Sequence, residues 1–337
     1  QGGTTDIGIL KFDSSGQNII YATYIGGNNS DVPTSIVAND KHELFILAVT
    51  GSNDFPNSAN TFSGGGNVNI NGYDFSDGTD ICVMKLDSTG SNLIKSRYVG
   101  GPGNDGNNLG GSYYSFLPVS NYGDELRGEI VIDEFENIYI ASSTNNYGLF
   151  NYDPLFPVKN GFDMTFNGGY QDGVVFKVHY SLDSLVWSSY IGSTGNDAAM
   201  SLKLNSDNYI LVTGAVGGNA FSVDTNSYKP YPIGGLDGFI AKISPNGNHI
   251  EAYSYLGTTE KDVSYFVEVD QDDNVYLLGQ THGDYGHSPE EIYHIDNDKS
   301  ITNGIFKVTR YINDEFQCAW YNNGNFHLLR KSKRRAH

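Results

Sequence analysis

Eight histidines, two cysteines and a surplus of carboxylates are the groups in this sequence that could do chemistry. The histidines, His42, His179, His249, His282, His287, His294, His327 and His337, are scattered, with no His-Glu-x-x-His and no Cys-His cluster of the kind zinc requires. The densest stretch holds His282, Asp284, His287, Glu290, Glu291 and His294, but its spacing fits no standard ligand pattern and reads as polar loop. The Asp270-Asp272-Asp273-Asn274 turn is too short for an EF-hand loop and lacks its central Gly and terminal Glu. A weak structural calcium site is the most that turn offers, and no other cofactor is expected. No Gly-x-Ser-x-Gly, P-loop or dinucleotide fingerprint occurs. Triads assembled from distant positions are invisible to spacing. The expectation is therefore a non-enzymatic chain with no catalytic, cofactor-binding or metal-binding residues, glycan cleavage or a lectin being the alternative.

What does recur is a pattern. TDIGILKFDSSG, TDICVMKLDSTG, QDGVVFKVHYSL, LDGFIAKISPNG and the weaker NGIFKVTR share one layout. Each carries a lysine (Lys11, Lys85, Lys177, Lys242, Lys307) with an aromatic 13 positions on (Tyr24, Tyr98, Tyr190, Tyr255, Trp320). These ten residues are expected to be structural anchors at equivalent positions, the tyrosine rings packing between sheets while the hydroxyls reach polar groups. Asp6, Asp80, Asp172 and Asp237 open four of the five segments, and Thr302 stands there in the fifth. An identical aspartate in every unit argues for a structural duty, hydrogen bonding to its own backbone turn.

A second shared element follows, with Asn39, Asn205 and Asp270 each 15 residues after the aromatic. In the remaining unit the distance from Tyr98 to Asp133 is 35, so that unit has gained 20 residues. Both elements alternate apolar and polar residues around turns such as DSSG and SPNG, as β-hairpins do. No segment shows a sustained helical face with caps. Two hairpins per unit give four strands, and four-stranded units repeated along a chain predict a β-propeller, with a parallel β-helix as runner-up. Segments 52–78, 145–170, 215–235 and 282–302 read as ordered loops, since they carry aromatics such as Phe55, Phe62, Phe156, Phe166 and Tyr231.

The expected architecture is all-β: one propeller domain over 1–329, about five blades, with repeats near 2–56, 77–157, 168–221, 234–286 and 301–329. The second element of one repeat joins the first of the next. The N-terminal hairpin (residues 5–25) closes the ring with the strand-like run NFHLL at 325–329, leaving 330–337 as a basic tail. The formal charge is −19 over 337 residues, yet Arg330, Lys331, Lys333, Arg334 and Arg335 lie in the last eight. Without that tail the body holds 15 basic against 39 acidic residues, which disfavours nucleic acid and anionic membrane. No 18-residue apolar run predicts a transmembrane helix. Cys82 and Cys318 sit in apolar runs and read as buried, unlinked thiols.

The run from GGLDGFIAKISPNGNHIEAYSYLG to VEVDQDDNVYLLGQT, with SNDFP at 52–56 and the VTG before it, resembles the bacterial SBBP repeat, named for seven-bladed propellers. The likeness extends to about residue 310, although five repeats are visible, the last is degraded, and the second is enlarged. The resemblance implies an envelope or exported protein, placed in the periplasm or cell envelope of bacteria that use the type 9 secretion system. It implies a non-catalytic, protein-binding scaffold, in its most concrete form an accessory or plugging subunit of an outer-membrane translocon. A display domain of a secreted adhesin is the alternative. Candidate partner contacts are Tyr113, Tyr114 and Phe116 in the enlarged repeat and the five basic tail residues.

Overall fold

The computed structural model describes residues 2–108, 118–119, 124–145, 156–218, 227, 229–283, 302–312 and 315–322. Its regular structure is all-β apart from one 3-10 turn, Asp124–Leu126. A hairpin of β1 (Ile7–Phe12) and β2 (Ile19–Ile25) comes first. β3 (Asp31–Ala38) and β4 (Leu44–Thr50) follow, then a small hairpin of β5 (Val68–Ile70) and β6 (Tyr73–Phe75), then β7 (Asp80–Leu86) and β8 (Leu93–Val99). The first four-stranded sheet has the order β3-β4-β7-β8. β9 (Asn104–Asp105), β10 (Glu129–Ile132), β11 (Ile138–Asn145), β12 (Gln171–Val178) and β13 (Leu185–Ile191) make the second sheet, β9 pairing with the end of β11. β14 (Ala198–Leu204), β15 (Ile210–Val216), β16 (Asp237–Ile243) and β17 (Ile250–Leu256) make the third. β18 (Asp262–Val269), β19 (Val275–Thr281), β20 (Thr302–Ile312) and β21 (Glu315–Asn322) make the fourth. All pairings are antiparallel, and every four-stranded sheet joins the second element of one repeat to the first element of the next. The segment at 52–78 is more regular than its Gly- and Asn-rich sequence predicts, because Gly72 at φ 87° closes the β5–β6 hairpin.

The turns explain the repeat. Between first and second strands, Asn39, Asp133, Asn205 and Asp270 accept N–H bonds from the residues two and four positions on. Three positions on, His42, Glu136, Asn208 and Asp273 take left-handed backbone at φ 59–63°. Asp270 also accepts from the Asn274 side chain and the Tyr276 hydroxyl, so its oxygens serve the turn itself. Between third and fourth strands Gly90 and Gly247 do the equivalent, and a Cβ there would meet the rings of Tyr21 and Trp187 of the preceding units at 2.4 and 2.1 Å.

Adjacent sheets pack face against face. Phe45, Leu47 and Val83 of the first sheet bury against Ile138, Ile140, Val174 and Phe176 of the second. Tyr139, Val175 and Trp187 continue onto Leu202, Val212, Phe239 and Tyr253 of the third, and Leu211 and Ile240 onto Val267, Val275 and Leu277 of the fourth. The β1–β2 hairpin lays Ile7, Ile9 and Ile25 on Ile46, Cys82 and Met84. In the first three four-stranded sheets the second and third strands (β4, β7, β11, β12, β15, β16) are covered on both faces, which is why they read as near-continuous apolar runs.

The first strands carry one bulge each, at Thr34 in β3, Met200 in β14 and Tyr265 in β18. In the second sheet Asp105 pairs with Thr144 and Glu129 with Ala141, so the whole of 108–128 stands where the others have one bulge residue. The 20-residue enlargement thus enters the chain at the bulge position.

Candidate functional site

The repeated lysines sit at one register position on the third strand or its β1 counterpart, directly before the point where the facing strand bulges: Lys11, Lys85, Lys177 and Lys242. Their ammonium groups lie 5.8, 4.9, 4.6 and 4.2 Å from the ring centres of Tyr21, Phe45, Tyr139 and Tyr209. The tyrosines pair opposite the residue three before the lysine: Tyr24 with Gly8, Tyr98 with Cys82, Tyr190 with Val174, Tyr255 with Phe239. The fifth unit departs from this layout. Lys307 pairs with Ala319, 12 residues on where the other lysines pair 10 on, and Trp320 with Phe306, because the β20–β21 hairpin is two residues longer; Trp320 is therefore not at the register of the four tyrosines.

Tyr98, Tyr190 and Tyr255 are buried, whereas Tyr24 is 67% exposed. The Tyr98 hydroxyl donates to the Ser52 carbonyl and accepts from Phe55 N–H, both at 2.7 Å, and the Tyr190 hydroxyl accepts from Phe156 N–H at 3.0 Å. Those loops then run along the fourth strands, exchanging backbone bonds with Ser96 and Ser188 and covering the sheet edges. Cys82 is a free, fully buried thiol, pushed well above its ordinary range by burial, while Cys318 lies on β21 in another sheet.

Asp80, Asp172 and Asp237 hold the incoming loops: they accept N–H bonds from Ser63 and Gly64, from Asn167, and from Ile233 and Gly234. Each has a buried partner that the repeat reading missed. Asp31, Asp105, Asp197 and Asp262 stand at the head of each sheet, always 25 residues after Asp6, Asp80, Asp172 and Asp237. They accept the N–H of Gly27, Gly101, Ser193 and Thr258 four residues before them. That constant spacing was the available signal. Burial, first, pushes these carboxyls up: Asp80 to about 7 and Asp197 and Asp237 to about 6, with Asp172 also held well above its ordinary range.

A pocket of about 370 Å³ opens where the four first strands meet. Val32, Pro33, Thr34 and Ser35 come from β3, Glu129 from β10, Met200 from β14 and Phe266 from β18. Leu126, Arg127 and Gly128 of the enlarged bulge, with Asn71 and Tyr73 of the β5–β6 hairpin, complete the lining. The strands are stitched in one repeated way. Ile130 N–H donates to Ser35 Oγ (3.4 Å), Leu202 N–H to Glu129 Oε2 (3.3 Å) and Val267 N–H to Ser201 Oγ (3.1 Å). Glu129 is also held by the Ser201 hydroxyl and by Lys203 at 3.1 Å. Arg127 lies 4.8 Å from the ring centres of both Tyr265 and Phe266, and the Tyr265 hydroxyl donates to Asp124 at 2.9 Å. The enlarged bulge of the second sheet thereby reaches across to the fourth, where Lys261 also donates to the Val119 carbonyl at 2.5 Å.

Tyr113, Tyr114, Phe116, the closing run expected at 325–329, the basic residues Arg330, Lys331, Lys333, Arg334 and Arg335, and the acidic and histidine stretch from Asp284 to His294 lie outside the described residues. Among the described residues no helix is long and apolar enough to cross a membrane.

No known protein family matches this sequence, and no curated protein is similar to it. A solved structure titled as a crystal structure of glucose dehydrogenase superposes with a TM-score of 0.27 at 10% identity, over 77% of this chain and 82% of that one. So loose a superposition carries no argument about chemistry.

Proposed function

We propose that the chain is a non-catalytic β-propeller that binds a protein partner in the bacterial envelope, as its resemblance to the SBBP repeat implies, and that the partner enters at the pocket ringed by the first strands. The observation that carries this reading is the convergence of β3, β10, β14 and β18 on one pocket, with one side-chain stitch repeated between successive sheets. Radial closure turns such stitches into a ring. The lining pairs an exposed aromatic, Phe266, with a guanidinium 4.8 Å from its ring centre, the residue types that anchor protein interfaces. It contains one carboxylate, Glu129, already held by Ser201 and Lys203, where glycoside cleavage needs two acids facing each other. A translocon accessory or plugging subunit is the form of this function that the resemblance favours. In this reading β1, which pairs with β2 alone among the described residues, takes the 325–329 strand on its other edge, and the basic tail adds a second, salt-sensitive contact.

A photoreactive residue at Phe266, in the native envelope, tests the proposal. It should give one discrete adduct that disappears on Arg127→Ala, while the same probe at Val186, exposed on β13, gives none. Equal adducts at both positions, or an adduct indifferent to Arg127, would overturn it.

A further inference from the structure

Three times in this fold, two carboxylates are brought against one glycine. A Cβ on Gly100 would sit 2.2 Å from Asp80 Oδ1 and 2.7 Å from Asp105 Oδ2. On Gly192 it would sit 2.8 Å from Asp172 Oδ1 and 2.9 Å from Asp197 Oδ2, and Gly26 is placed alike between Asp6 and Asp31. At the fourth junction a Cβ on Gly257 would meet Asp237 Oδ1 at 1.8 Å. Asp80, Asp105, Asp172 and Asp197 are all fully buried. Their donors are neutral: backbone N–H groups, with the Thr144 hydroxyl at Asp105, the Asn167 amide at Asp172 and the Ser193 hydroxyl at Asp197. Asp105 Oδ1 and Asp172 Oδ1 receive no hydrogen bond of good geometry. Two carboxylates so placed need a shared proton or a counter-charge. The Asp237/Asp262 junction supplies its own, because Lys229 Nζ donates to the Gly257 carbonyl at 2.6 Å and its charge acts on both aspartates. Among the described residues no ion pair reaches the Asp80/Asp105 or Asp172/Asp197 junctions.

We propose that the Asp80/Asp105 and Asp172/Asp197 junctions each hold a hard divalent cation of the calcium class, at the place Lys229 fills with its ammonium beside Asp237 and Asp262. Carboxylate and carbonyl oxygens are the ligands such an ion takes. Because the sites lie between successive sheets, the ion clamps one sheet to the next.

The test uses the full chain stripped with a chelator, then titrated with calcium chloride by calorimetry and followed by thermal melting. Two ions per chain should bind saturably and raise the Tm by several degrees, while sodium chloride of equal ionic strength does neither. Asp172→Asn should bind one ion, and Asp80→Asn with Asp172→Asn none; both should melt at or above the stripped wild type, since each removes one buried charge. Failure of calcium to bind saturably would overturn the proposal. So would an unchanged calcium response in the double variant, which would place the ions on the acidic surface. A stripped wild type that gains the whole calcium-induced rise simply on acidification to pH 5, with no ion bound, would assign the place to a proton.

Discussion

The junction aspartates set how stability answers to pH, and Asp237 isolates the effect because its junction has a lysine. Burial and the nearby Asp262 push its carboxyl up to about 6 from an ordinary 3.8. Between those values the native chain keeps a proton that the unfolded chain has lost, so stability falls as pH rises through about 6 and then levels. Asp237→Asn keeps an oxygen for the Ile233 and Gly234 amides and removes the titration. In chelator, urea unfolding should show the variant equal to wild type near pH 4 and more stable by on the order of 1–2 kcal/mol at pH 7.5. A variant less stable than wild type at pH 7.5 would contradict this. Only half of each junction was legible in sequence. Asp6, Asp80, Asp172 and Asp237 stand before apolar strands and draw attention; their partners follow glycine-rich turns whose other residues vary, and only the constant interval of 25 marks them. The pocket was less legible still, because equivalent bulge positions hold residues as unlike as Thr34, Met200 and Tyr265.

Strands and turns were the most legible level, since hairpin register fixes the distance from lysine to aromatic while loop lengths drift. The exception, Trp320, shows the limit: a constant 13-residue interval hid a hairpin that is two residues longer. Between elements, turn contacts join neighbouring sheets. Lys85 lies between Glu43 of its own sheet (2.8 Å) and Glu136 of the next (3.1 Å), with Lys41 also on Glu136. Hydrogen bonding to the lysines holds Glu136 below the usual carboxylate range, and Lys85 together with Asn39 does so for Glu43 against burial. Lys85→Ala leaves the two glutamates facing each other and should cost about 2 kcal/mol in urea unfolding at pH 7. The loss should shrink as pH falls below the ordinary carboxylate range and both glutamates protonate. A cost under about 0.5 kcal/mol at pH 7 would show that the sheets do not depend on this link.

At the scale of the molecule the question is closure. The β1–β2 hairpin leaves Leu10, Phe12, Ile19, Ile20 and Tyr24 half or more exposed, and Ile36 and Phe266 are exposed on the first strands of the first and fourth sheets. If the 325–329 strand completes the hairpin, deleting residues 325–337 should lower the Tm clearly, whereas neutralising the five basic tail residues should leave it nearly unchanged. An unaltered Tm after the deletion would place closure elsewhere. The ring itself is tested most directly by spin-label distances between the equivalent turn positions Lys41, Phe135, Asp207 and Asp272, two residues past Asn39, Asp133, Asn205 and Asp270. In a five-fold ring with one place between the fourth sheet and the first, the three neighbouring pairs share one short distance. The pairs 41–207, 135–272 and 41–272 then share one longer distance. A 41–272 distance well beyond the other two would mean an open stack of sheets and would contradict the propeller.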